Sequence, residues 1–108
     1  MTAAATERDA LAGTVARVAA DVPGVAFLRP GLADLLRSSG RTGPPRTPAG
    51  VRVARTSGPG PWEVDVQIVV HRDRHALTVA RAVRDAVTDA LSGAAPDARV
   101  TVTVTNAV

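Results

Sequence analysis

From residue 62 to residue 71 the chain alternates. Trp62, Val64, Val66, Ile68 and Val70 are apolar, Glu63, Asp65, Gln67 and His71 between them are polar, and only Val69 is out of phase. A period of two sends successive side chains to opposite faces of a strand, so this stretch predicts a strand with one apolar and one polar face. Shorter runs repeat the pattern. Val51 and Val53 flank Arg52 in a strand over 51–55, and Val100, Val102 and Val104 alternate with Thr101 and Thr103 in a strand over 99–104. Val25–Leu28 is a short apolar run between Pro23-Gly24 and Pro30-Gly31, a strand bounded by turn residues.

Two other stretches carry the helical period. Leu11, Val15, Val18, Ala19 and Val22 line one face of a helix from about 7 to 20, with Thr6 as its N-cap and Asp9 as the capping partner. Ala76, Val79, Ala80, Val83, Ala86, Val87, Ala90 and Leu91 line one face of a second helix, with Arg81, Arg84, Asp85, Thr88 and Asp89 on the other. Asp73 or Thr78 is placed to cap its start, and Ser92-Gly93 closes it. Residues 1–5 read as a frayed tail. Leu32, Leu35 and Leu36 suggest a helical turn or two over 31–39, and six Gly and Pro residues make 40–50 a loop.

The order is therefore α-β-β-β-α-β. Each strand has one apolar face and each helix one apolar stripe. The simplest burial is an α+β two-layer sandwich: a small mixed sheet of three to four strands with two helices on one face. It forms one domain over 6–108. Ser57-Gly58-Pro59-Gly60-Pro61 makes 51–71 an antiparallel hairpin, while the strand–helix–strand unit from Trp62 to Val104 is expected to cross over right-handed if its two strands are parallel. The 62–71 strand is then interior. The uncovered face presents Arg52, Glu63, Asp65, Gln67, Thr101 and Thr103, which meet water or form a docking surface.

Composition narrows the function classes. The 108 residues are enough for one modest core, built from Val and Ala with one Trp, one Phe and no Tyr. Without Cys there are no disulfides or thiolate metal sites. No apolar run approaches a membrane span, and Met1–Asp9 lacks the features of a secretory signal, so the expected location is cytoplasmic. All 13 basic residues are Arg and the net charge is +3. Six of those Arg fall between Arg29 and Arg55 against Asp34 alone, giving that segment +5 and the remainder −2. Arg41, Arg46, Arg52 and Arg55 make an anion- or RNA-binding patch the alternative to a solvated loop.

Catalytic parts are missing. His71 and His75 are four apart, but one ends a strand and the other begins a helix, and Arg72 and Arg74 repel a cation. Glu63 and Asp65 are neighbours on an open strand face, where pairing with Arg52 is the simpler role. Ser38, Ser39, Ser57 and Ser92 lie in turns or at a helix end with no His partner, and no GxSxG, P-loop or GxGxxG occurs. The Pro45-Arg46-Thr47-Pro48 spacing is a frequent chance pattern in a Pro-rich loop. No enzyme activity, metal or cofactor is expected.

Several segments together carry a resemblance: Val22-Pro23-Gly24-Val25, Gly50-Val51-Arg52-Val53, Val64-Asp65-Val66-Gln67-Ile68-Val69-Val70, Val79-Ala80-Arg81-Ala82-Val83-Arg84-Asp85-Ala86-Val87 and Val100-Thr101-Val102-Thr103-Val104. Over about residues 10–106 the chain resembles the alkaline-shock protein family, also called the envelope stress response protein family. It departs from that pattern at His71-Arg72, at Ala95-Pro96-Asp97 and in the long 40–50 loop. The resemblance implies a non-enzymatic cytoplasmic protein of envelope stress that self-associates or is held near the membrane by a small membrane-protein partner. It implies no catalytic residues. The alternative is a KH-like module binding RNA or another anion through the Arg-rich segment 29–55.

Overall fold

The computed structural model describes residues 3–29, 50–55 and 60–108. Among them are helix α1 (Ala3–Ala20), strands β1 (Val25–Leu28), β2 (Val51–Arg55) and β3 (Trp62–Val70), helix α2 (Ala76–Leu91) and strand β4 (Arg99–Ala107). This is the expected α-β-β-β-α-β order. The helical turns expected over 31–39, the loop up to residue 49 and most of the 57–61 turn lie outside the described residues.

Each of the other described strands pairs with β3. Strand β4 runs parallel to it along Glu63–Val70. Strand β1 is antiparallel to its C-terminal part and β2 to its N-terminal part. A strand has only two edges, and β4 occupies one of them along nearly its whole length. Gln67 shows how β1 and β2 share the other. Its C=O accepts from the Arg29 N–H at 3.1 Å, and its N–H donates to the Gly50 C=O at 2.8 Å. In an antiparallel pair both bonds of such a residue go to one opposing residue. Here Leu28 stands opposite Ile68 and Val51 opposite Val66. The single place between them is filled by the N–H of one residue and the C=O of another. β1 and β2 thus form one strand in two pieces, with 30–49 intervening in sequence. Gly50 has φ +84°, and a Cβ there would lie 2.8 Å from the Arg29 nitrogen, so the join requires glycine.

The two faces of the sheet differ as the alternation predicts. Trp62, Val64, Val66, Ile68 and Val70 are buried with Val51, Val53 and Val25 beneath both helices. Helix α1 contributes Leu11, Ala12, Val15 and Ala19, and α2 contributes Val79, Val83, Val87 and Leu91. At ~1.5–3 kcal/mol per fully buried aliphatic side chain, β3 supplies the largest share of any strand. Small residues let the helices sit close. At Gly24, φ +97°, a Cβ would come within 2.6 Å of Val79 Cγ2.

Four local expectations need correction. Helix α1 begins at Ala3, so residues 3–5 are helical and Thr6 lies inside the helix; the Ala3-Ala4-Ala5 run has the highest helix propensity available. Neither Asp73 nor Thr78 caps α2, whose N-cap is an extended His75 without a side-chain hydrogen bond. Strand β3 ends at Val70, leaving His71 exposed outside it. Strand β4 continues past Val104 through a bulge, with Val104 opposite Ile68 but Asn106 opposite Val69. Thr105 Oγ1 donates to the Ile68 carbonyl at 3.2 Å across that bulge.

If β1 and β2 are one interrupted strand, excision of residues 30–50 joins Arg29 directly to Val51 in register. The shortened chain is expected to keep a single cooperative thermal transition. Loss of that transition would place part of 30–50 in the core.

Candidate interaction surfaces

The six residues assigned to the uncovered face lie there together. Register sets Arg52 beside Asp65 and Asp65 beside Thr101, with Gln67 beside Thr103. Arg52, Glu63, Thr101 and Thr103 are exposed, while Asp65 and Gln67 are half-buried. Arg99 stands beside Glu63 in the next row. Asp65 Oδ1 is buried without a hydrogen-bond partner, a desolvation that costs about 1–3 kcal/mol.

Sequence reasoning missed two apolar members of this face. The register slips between Val25 and Phe27, which sets Phe27 opposite Val69. Phe27 is 46% exposed and Val69 fully buried. The signal for Val69 was its break in the alternation. The shift of Phe27 comes from a one-residue irregularity at Ala26, for which the sequence has no marker.

The proposed anion patch does not converge among the described residues. Alternation along β2 puts Arg52 on the uncovered face and Arg55 on the helix side, and Arg41 and Arg46 lie outside the described residues. Arg55 is already engaged. Its guanidinium lies 4.2 Å from the centroid of the Trp62 ring and 3.6 Å from Glu7 Oε1. The same carboxylate oxygen accepts from Trp62 Nε1 at 3.2 Å. This cluster ties the start of α1 to the end of the β2–β3 pair. Next to it, a hollow of about 410 Å³ is lined by Arg55, Pro61, Trp62, Pro96, Asp97 and Arg99, among others.

His71 and His75 are both exposed, and among the described residues no three His, Asp or Glu side chains gather into a metal-binding group. Ser92 Oγ donates to the Asp89 carbonyl at 2.8 Å, a helix-end role. No described helix is long and apolar enough to cross a membrane.

The edge of β4 is the second surface. Odd-numbered β3 residues spend their backbone groups on the β1–β2 edge, as Gln67 shows, so even-numbered ones face β4. In a parallel pair a residue bonds the two neighbours of its opposite number. Val64 and Val66, opposite Val100 and Val102, therefore bond through Arg99, Thr101 and Thr103. The N–H and C=O groups of Val100, Val102 and Val104 point to the outer edge, where no described strand pairs with them. Their side chains are half-buried and pack against the core, as the alternation predicts. Leu77 of α2, 61% exposed, borders a groove of about 390 Å³ with Ala80, Arg81, Arg84, Val100 and Val102.

No protein-family model and no curated protein sequence matches the chain. Solved structures do. A His-to-Glu variant of the MamM CTD is similar at a TM-score of 0.53 and 18% identity, covering 94% of this chain and 96% of that one. A Glu-to-His variant of the same domain in its nickel form matches at 0.51 and 18%, covering 91% and 96%. At these identities the likeness is one of fold, and it confirms the α+β architecture over nearly the whole chain.

Glu7→Ala is expected to lower stability to denaturant by about 1 kcal/mol, since one carboxylate serves both Trp62 and Arg55. In a double-mutant cycle Arg55→Ala then costs less than it does in the parent. Strict additivity would show that the three residues do not act together.

Proposed function

We propose that this chain is a non-catalytic interaction module that acts by self-association or by docking to a partner near the membrane. The observation that carries this reading is the unpaired outer edge of β4 among the described residues, flanked by exposed Leu77. The uncovered sheet face, with its six polar residues beside exposed Phe27, supports it as a second surface. A long apolar edge with free backbone groups is a template for another chain unless it is guarded.

The narrower form of the reading is an alkaline-shock-like role in envelope stress, with a small membrane protein as partner. Its support is the Val/Ala/Gly pattern over residues 10–106. The nickel named for one structural neighbour is not carried over, because among the described residues no three His, Asp or Glu side chains gather into a metal-binding group. The RNA-binding alternative is the weaker one, since Arg52 and Arg55 sit on opposite faces and Arg55 is bound to Glu7.

Sedimentation velocity from low micromolar to several hundred micromolar protein tests the reading. The weight-average sedimentation coefficient is expected to rise with concentration to at least that of a dimer. A monomer throughout that also captures no partner in a pull-down would overturn the general form, and no change in cellular abundance after alkaline shock would overturn the narrower one.

A further inference from the structure

We infer that the occupant of the β4 edge is a second copy of this chain, paired antiparallel about a two-fold axis through Val102. The inference rests on the self-association reading above and specifies where that association occurs.

A two-fold contact demands a surface complementary to itself, because residue i of one copy meets j of the other while j meets i. The segment Val100-Thr101-Val102-Thr103-Val104 reads the same in both directions. Antiparallel pairing about Val102 therefore sets Val102 on Val102, Val100 on Val104 and Thr101 on Thr103. Valines meet valines on the helix side and threonines meet threonines on the uncovered side, both favourable cross-strand pairs.

The backbone permits this register. Val100, Val102 and Val104 are the residues whose N–H and C=O groups point outward, as the β3–β4 register requires. About this axis they pair only with one another, and six inter-chain hydrogen bonds result. Thr101 and Thr103 then form the close, non-hydrogen-bonded pairs. An axis through Thr103 would instead set Val100 against Asn106, beyond the bulge at Thr105, where the alternation is broken.

Past Arg99 nothing in the strand guards the edge. From Val100 to Ala107 there is no charged residue and no proline, although these are the usual devices that keep edges apart. The groove along the same edge is bounded by Leu77, Ala80, Val100 and Val102 together with Arg81 and Arg84, so apolar surface continues from the strand onto α2 with two arginines beside it.

The absence of cysteine makes the test clean. Thr101→Cys and Thr103→Cys single variants, mixed and mildly oxidised, are expected to give a disulfide-linked dimer rapidly, while Thr101→Cys or Thr103→Cys alone gives little. Rapid cross-linking of Thr103→Cys alone would overturn the register. In parallel, Val102→Pro removes an outward N–H that the β3–β4 ladder does not use, so the monomer fold, followed by its thermal transition, should persist. Self-association is expected to weaken on the order of 100-fold. A parent chain that is monomeric at every concentration contradicts the self-association reading itself. A dimeric parent whose Val102→Pro variant dimerises equally, with no Thr101–Thr103 cross-link, leaves that reading standing and overturns only the β4 interface.

Discussion

The structure depends on the backbone pairing capacity of one strand. β3 offers two edges, and both are used along most of their length: β4 on one, the β1–β2 composite on the other. Its side chains divide just as sharply, with the even positions beneath two helices and most odd positions on the uncovered face. A one-residue slip would exchange these faces and bury Glu63, Asp65 and Gln67, so the alternation fixes the register of every other strand.

This constraint explains how the sheet tolerates a split strand. Backbone groups, not chain continuity, complete the ladder. Gln67 needs one N–H and one C=O, and it takes them from Arg29 and Gly50, which are far apart in sequence. The cost is local: a glycine at positive φ where two chain segments crowd together. The same geometry decides the fate of β4. Its odd residues bond to β3, so its even residues face outward.

Much of the fold was legible because period-two and period-3.6 patterns were clean and the turns carried Gly and Pro. Trp62 to Val70, Ala76 to Leu91 and the uncovered polar face followed from patterning alone. Side-chain periodicity could not show that β1 and β2 share an edge, because edge sharing depends on where backbone groups point. Val100, Val102 and Val104 pack against the core from its margin, because alternation names a face but not a position in the sheet. The irregularity at Ala26 turns Phe27 to the uncovered face, which the apolar run 25–28 does not mark. The Arg patch read from composition separated once β2 put Arg52 and Arg55 on opposite faces.

The proposed function places the interaction at the β4 edge, with which no described strand pairs. Amide hydrogen exchange along β4, followed as a function of protein concentration, tests that claim most directly. In dilute protein the Thr101 and Thr103 amides should be protected while those of Val100, Val102 and Val104 exchange freely. At high concentration the three valine amides should become protected as well. Valine amides that exchange equally fast at every concentration, in a chain that nevertheless associates, would contradict the account.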